Sequence, residues 1–408
     1  MKKMIHDSQK GRRIPEKGRP SHEKRERRRR MMEKRKMEKL GIETSLLGFG
    51  CMRFPTLPDG KIDEAEAERM LDKAIASGVN YIDTAYPYHN GQSEPVVGRI
   101  LKKYDRDSFY LATKLPLWAV NSVEDAERIF HEQLERLQTD HVDFYLLHAL
   151  NKEKWDQMKQ LGVVDYCAKL KEEGKIRYYG FSFHDDYEVF EEILNYRPWD
   201  FCQIQYNYLD RYEQAGDRGY ALAESLGVPL VIMEPVKGGN LAGFSDDIND
   251  RFHQMDPEAS VASFALRWVG SHPNVKVILS GMSTMQQVED NLKTFASFKP
   301  LSEAESREID EIVKELRSRV QNGCTGCRYC MPCPAGVNIP GNFKVWNNYH
   351  MYRTYGHVQR EWEVDLKDEE KAKNCIKCGR CETLCPQKLS IRADLARVQQ
   401  ELDDRIFR

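Results

Sequence analysis

The chain has 408 residues, 40% hydrophobic and 10% aromatic, enough for a packed core and too long for one small domain. No stretch approaches the roughly 18 apolar residues of a membrane span, which speaks against a transmembrane protein; the longest apolar runs, such as Val228 to Met233, have the length of buried strands. The net charge of −2 conceals an asymmetry, with residues 1–36 at +11 and the remaining 372 residues at −13.

Residues 1–31 are expected to be a disordered basic extension. A head this charged, centred on Arg27-Arg28-Arg29-Arg30, has no apolar face to bury. It lacks the apolar segment of a secretory signal and is too acidic for a transit peptide, so a cytoplasmic location is expected. Three readings stay open for it: a solvated tail, a start upstream of the true one at Met32, or an arm for nucleic acid or another acidic surface. Elsewhere no nucleic-acid role is expected.

Short apolar strands then alternate with amphipathic helices. Strands are predicted at 46–51, 80–83, 109–114, 143–148, 177–182, 201–205, 229–233 and 275–279. Helical spacing of apolar residues marks 63–77, 93–104, 122–137, 155–173, 185–195, 212–226 and 257–270, and helices at 284–296 and 302–319 close the unit. The pattern predicts a (β/α)8 TIM barrel over residues 32–319, with an open doubly wound sheet as the alternative. Polar residues favour the barrel. Asp83, Lys114, His148 and Ser182 each end a different predicted strand, and parallel barrel strands deliver their last residues to one mouth. No Gly-x-Gly-x-x-Gly follows the first strand, so a Rossmann phosphate turn is not supported.

Asp83, Tyr88, Lys114 and His148 are the groups that hydride transfer to a carbonyl requires. The developing oxyanion needs a proton donor and stabilising charge. A tyrosine with an ordinary pKa of about 10 needs a nearby cation to donate readily, a lysine held by a carboxylate provides one, and a histidine can orient the oxygen. Taken singly, a strand-end Asp can be a helix cap, a His structural and a Lys a surface charge.

The segment 80–94 (NYIDTAYPYHNGQSE) resembles the signature of aldo-keto reductases, as do LATK (111–114), DFYLLH (143–148), GKIRYYGFS (174–182) and ILSGMSTMQQVEDN (278–291). The resemblance runs through about residues 34–296 in the expected order. It implies Tyr88, five residues after Asp83, as general acid in preference to Tyr86. Lys114 and Asp83 would lower the Tyr88 pKa, and His148 would orient the carbonyl. It further implies NAD(P)H as cofactor, with Ser182 and Gln203 on the nicotinamide carboxamide and Met233 against the ring. Gly281, Ser283, Gln287 and Asn291 would surround the adenosine end. Two departures stand out: Phe183 occupies a position where the family often has Asn, and Gly281-Met282-Ser283 lacks the Lys or Arg of relatives that grip a 2′-phosphate. NAD and NADP are both left open. Trp118 is read equally as substrate-mouth lining or core.

After Val320 the character changes. Residues 320–408 carry eight of the eleven cysteines, at Cys324, Cys327, Cys330, Cys333-Pro and at Cys375, Cys378, Cys381, Cys385-Pro. Three thiolates at two-residue spacing can hold one side of a cubane, with a distant Cys-Pro completing a neighbour's coordination. The expectation is therefore a mainly helical ferredoxin-like module with helices near 341–356 and 388–402 and two [4Fe–4S] clusters. Cys324, Cys327, Cys330 and Cys385 would hold one, and Cys375, Cys378, Cys381 and Cys333 the other. Zinc is the alternative. Cys51, Cys167 and Cys202 read as small buried hydrophobes.

The combination predicts an NAD(P)H-dependent oxidoreductase acting on a small carbonyl or alcohol, coupled to or regulated by the clusters, with a redox protein as a candidate partner. The alternative is a redox-sensing or electron-transfer protein whose barrel binds nicotinamide with little catalysis.

Overall fold

The chain enters through an antiparallel hairpin, β1 (Lys34–Met37) and β2 (Ile42–Ser45), in the computed structural model, which describes residues 32–406; the basic head expected at 1–31 lies outside the described residues. The hairpin was not predicted, because its residues read as a continuation of the charged head. Only Met37 of β1 is buried, and it inserts among Tyr81, Phe144, Phe201, Val231 and Val277.

Eight parallel strands follow: β3 (Leu47–Gly50), β4 (Tyr81–Asp83), β5 (Tyr110–Leu115), β6 (Val142–Leu150), β7 (Ile176–Phe183), β8 (Phe201–Gln205), β9 (Leu230–Met233) and β10 (Val275–Gly281). β10 pairs with both β9 and β3, so the sheet closes into a barrel and the open-sheet alternative is excluded. Alternation along the strands sorts the side chains. Ile82, Leu111, Tyr145, Phe181, Ile204 and Ile278 face the surrounding helices in one large apolar cluster. The other parity faces the barrel axis. Tyr81, Ala112, Phe144 and Phe201 fill the closed end above Met37. Two residues onward the same rows reach Asp83, Lys114 and Gln203, and His148 lies four beyond Phe144.

The helices start where the sequence offers amide acceptors. Ser122, Asn151, Thr284 and Ser302 each accept a hydrogen bond from an amide in the first turn of the helix that follows, and Ser302 with Glu305 forms a complete capping box. The helix predicted over 155–173 is two, Lys152–Gln160 and Val163–Glu172, divided at Gly162 with φ +76°. A further helix, Asp246–Met255, was not predicted. Gly98 is required by close approach, since a Cβ there would lie 2.5 Å from the Arg136 carbonyl oxygen.

The C-terminal module is helical. Its predicted helix over 341–356 is Ile339–Tyr352, and a second, Tyr355–Arg360, follows the left-handed Arg353. Ile391–Val398 corresponds to the prediction at 388–402. Phe343, Trp346, Trp362 and Leu395 form a core of their own. The module is seated on the barrel by Tyr352, whose buried ring joins the barrel core 6.3 Å from Phe244. Within the module, Asn347 Oδ1 accepts from the amides of Gln321 and Asn322, at 3.0 Å each.

Met37→Ala should cost about 2–5 kcal/mol, the range for truncating a buried Met, read as a lower denaturation midpoint. An unchanged midpoint would show that the hairpin does not stopper the barrel.

Candidate active site and cysteine cavities

Lys114 is completely buried, so its ammonium depends on protein acceptors for all three protons. It donates to Asp83 Oδ1 at 2.7 Å, to the Thr84 carbonyl at 2.7 Å and to the Tyr88 hydroxyl at 3.3 Å. Asp83 ends β4, Lys114 lies near the end of β5 and His148 lies where β6 passes a register shift. Tyr88 comes from the turn after β4, held by three successive left-handed residues, His89, Asn90 and Gly91. The His148 ring stands 6.3 Å from Tyr88 and 5.2 Å from Trp118. Trp118 is 53% exposed, so it belongs to the rim and not to the core. Tyr86 points elsewhere, its hydroxyl on Glu132 at 3.2 Å and its ring under the Arg136 guanidinium.

Burial pushes the Tyr88 phenol above its ordinary value; Lys114 pulls it down, and Asp83 pushes it up again. The expectation that Lys114 and Asp83 together acidify Tyr88 therefore fails in the free protein, because burial outweighs the lysine and the carboxylate acts against it. Burial also depresses the Lys114 ammonium, but Asp83 and Tyr88 more than reverse this and leave it above its ordinary value. Burial raises the Asp83 carboxyl against the pull of Lys114. His148 is driven well below its ordinary value by burial, then by Lys114 and His184, and is neutral.

A polar layer behind the four groups was not singled out in the sequence. Glu94 accepts from Thr113 Oγ1 at 2.6 Å and Gln133 Nε2 at 2.7 Å, and Gln133 also donates to the Lys114 carbonyl at 3.0 Å. These residues lie on separate elements, and only the fold brings them together.

Asp83, Tyr88 and His148 open on a cleft of about 1500 Å³, larger than the roughly 300–1000 Å³ of an ordinary small-molecule pocket. Ser182, Gln203, Met233, Gly281, Ser283, Gln287 and Asn291 all line this same cleft. Ser182 Oγ accepts from the Ala149 amide at 2.7 Å, leaving its proton available, and Gln203 Oε1 is buried with no hydrogen-bond partner among the described residues. Asn291 donates to Ser280 Oγ at 2.8 Å, and Gln287 Oε1 accepts from the Ser283 amide at 2.7 Å. Phe183 turns outward onto Phe190. The loop 234–242, left-handed at Glu234, Lys237, Gly238 and Gly239, forms another wall that the sequence did not flag. So does Arg53, whose backbone carbonyl accepts from Ser283 Oγ at 2.8 Å. Its side chain lies where a Gly281 Cβ would be, 2.7 Å from Cγ. An arginine remote in sequence thus stands beside the segment that lacks one.

The eight clustered cysteines ring two cavities. Cys324, Cys327, Cys330 and Cys385 border one, and Cys333, Cys375, Cys378 and Cys381 border the other, with Cys330 between them. The two runs share a backbone pattern. Gly326 and Lys377, Arg328 and Gly379, and Gly336 and Lys388 are all left-handed at matching places. The offset between them grows from 51 to 52 residues past the last Cys, which absorbs the shorter first run. The Gly326 amide donates to Cys324 Sγ at 3.4 Å. Among the described residues no group of three or more His, Cys, Asp or Glu side chains is drawn together around a single metal-ion position. Cys51, Cys167 and Cys202 are buried and apart from these cavities.

A family model described as "Aldo/keto reductase family" matches residues 46–314, and one described as "4Fe-4S dicluster domain" matches 323–389. The "Uncharacterized oxidoreductase YqkF" of Bacillus subtilis is 26% identical, over 70% of this chain and 97% of that protein. The "NADH-specific methylglyoxal reductase" of Escherichia coli is 26% identical over 67% and 96%. Among solved structures, the holo form of aldo-keto reductase AKR11C1 from Bacillus halodurans superposes with a TM-score of 0.58 at 29% identity, covering 69% of this chain and 96% of that one.

Asp83→Asn should cost about 3–5 kcal/mol, the range for leaving a buried partner charge uncompensated. Without the carboxylate, the folded-state pKa of Lys114 falls below its unfolded value of about 10.4. The unfolded chain then binds more protons, so variant stability rises with pH. Urea titrations should show the gap to wild type narrowing from neutral to alkaline pH. A gap that stays constant or widens would contradict this placement of the charge.

Proposed function

The chain belongs to the aldo/keto reductase family and carries a C-terminal 4Fe–4S domain, and on that basis we propose that it reduces an aldehyde or ketone, or oxidises the corresponding alcohol, with NAD(P)H. The observation that carries this reading is the fully buried Lys114 ammonium, shared between Asp83 and the Tyr88 hydroxyl at the cleft floor. Bound nicotinamide supplies the hydride. Tyr88 donates the proton to the carbonyl oxygen, and Lys114 stabilises the phenolate this leaves. Neutral His148 orients that oxygen by hydrogen bonding. Ser182, with a free proton, and Gln203, with an unpartnered acceptor, suit a primary carboxamide. Met233, bordering the same cleft, would lie against the ring, and Gly281, Ser283, Gln287 and Asn291 would line the adenosine end. Arg53 supports a phosphate contact there, although the methylglyoxal reductase relative is NADH-specific by name, so both dinucleotides belong in the assay.

For the module, we propose two [4Fe–4S] clusters with the crossed ligand sets that ring the two cavities. Cys324 also borders the catalytic cleft, which supports a role for the first cluster near the reaction.

Tyr88→Phe should lower turnover roughly 100-fold or more, the scale for a positioned general acid, with little change in nicotinamide affinity. Near-normal turnover in an NAD(P)H-consumption assay over aldehydes and ketones would refute the proton-donor role. Because the Tyr88 phenol lies above its ordinary value and His148 well below, carbonyl reduction should be flat through neutrality and fall only at strongly alkaline pH. A loss of rate on protonation near the ordinary histidine value would contradict neutral His148.

Anaerobic protein should contain about eight irons and eight labile sulfides. Cys385→Ser should alter the same electron-paramagnetic signal as Cys324→Ser, and Cys333→Ser the same signal as Cys375→Ser. Grouping of Cys385 with Cys375 would mean that each run holds its own cluster.

A further inference from the structure

Segment 375–392, which borders the second cysteine cavity through 375–381 and the first through 385–391, has an unusual surface for this protein. Residues 37–408 sum to −13, yet 375–392 contain Lys377, Arg380, Lys388 and Arg392 against the single acid Glu382. Glu382 is taken by Arg392 at 2.7 Å. Among the described residues the only ion pair within this segment is that of Arg392 with Glu382, and Lys377, Arg380 and Lys388 form none. The same segment carries two aliphatic side chains that proteins usually cover, Ile376 at 65% and Leu384 at 44% exposure, and the exposed thiol of Cys378. Ile376, Lys377 and Arg380 border the cavity ringed by Cys333, Cys375, Cys378 and Cys381.

None of residues 375–392 lines the catalytic cleft, whereas Cys324 of the other cavity does. Cys375, Cys378 and Cys381 thus stand outside the cleft that Cys324 borders. A cluster held by them exchanges single electrons, whereas nicotinamide moves two as hydride, so beyond passing electrons to the neighbouring cluster it needs a one-electron source from outside the chain. Exposed apolar side chains interspersed with unpaired cations along one segment are the complement of a small protein with an acidic surface. A second copy of this chain would set the same cations against each other.

Resting on the reading that these cysteines hold clusters, we propose that Ile376, Lys377, Arg380, Leu384 and Lys388 form the docking surface for a small acidic one-electron carrier protein. In the exchange the carrier is oxidised by one electron as the cluster held by Cys375, Cys378, Cys381 and Cys333 is reduced by one, and no atom or proton moves. Interfaces of this kind are small, and their charges act mainly on encounter rate and salt dependence.

The test uses anaerobic holoprotein of verified iron and sulfide content, with an acidic [2Fe–2S] ferredoxin as probe and basic cytochrome c as control. Calorimetric titration at low ionic strength should show binding of the ferredoxin but not of the cytochrome. Lys377→Glu combined with Lys388→Glu should weaken it by about tenfold or more, and added salt should do the same to wild type. Should Lys377→Glu lower the iron content, Arg380→Glu with Lys388→Glu takes its place. In stopped flow, cluster bleaching by reduced ferredoxin should slow in parallel. Overturning results are no ferredoxin binding, an affinity unaffected by charge reversal, equal binding of the cytochrome, or a holoprotein dimer that the double variant dissociates. Protein lacking iron altogether would overturn the cluster reading itself, whereas iron-replete protein indifferent to the patch would overturn only this inference.

Discussion

A lysine ammonium with no exposed surface has to be solvated by protein atoms, and that requirement organises the mouth of the barrel. The three protons of Lys114 meet three acceptors from three places: the Asp83 carboxylate at the end of β4, the carbonyl of Thr84 just beyond it, and the hydroxyl of Tyr88 in the turn that follows. Each acceptor is positioned only if the β4–β5 register, which sets Asp83 against Ala112, is kept. Behind the lysine, Gln133 holds its carbonyl and Glu94 holds Gln133. Two helices are thereby tied to the strand that carries the charge, close enough that Gly98 has no room for a side chain.

The same strands separate stability from chemistry by alternation and depth. Inward-facing residues at the closed end are aromatic and aliphatic, stoppered by Met37, and those nearer the mouth are Asp83, Lys114, His148 and Gln203. Burial makes the polar set effective. It keeps His148 neutral, holds Tyr88 protonated and gives Lys114 full influence over its neighbours.

Much of this was legible in the sequence because strand-end polar residues and period-two alternation are local signals. The eight barrel strands and the strand-end residues Asp83, Lys114 and His148 could be read that way, the two cysteine runs by their spacing, and Tyr88 in preference to Tyr86 only through the family resemblance. Long-range features could not. The β1–β2 hairpin hides in the charged head, since only Met37 of Lys34–Met37 is buried. The break at Gly162 looks like one more helical residue until the helices are packed. Arg53 reaches Ser283 across 230 residues, and Glu94 finds Gln133 on another helix. The direction of the Tyr88 shift was misjudged for a related reason: a sequence names the cation and the carboxylate but not the depth at which they are buried.

Barrel and module meet at a cleft whose walls include both Tyr88 and Cys324, so the proposed hydride chemistry and the proposed cluster chemistry share one space. Two routes to the same alcohol are then conceivable, hydride from nicotinamide or successive single electrons with solvent protons, and they differ in where the new carbon-bound hydrogen originates. The decisive measurement is isotope location by mass spectrometry. Anaerobic holoprotein is supplied with reduced nicotinamide dinucleotide deuterated on the transferring face of C4 and a carbonyl compound that it consumes. Direct transfer at the Tyr88–Lys114 site predicts one deuterium on the carbinol carbon and a hydroxyl proton from solvent. An alcohol whose carbinol carbon carries solvent hydrogen, whichever face is labelled, would contradict the account.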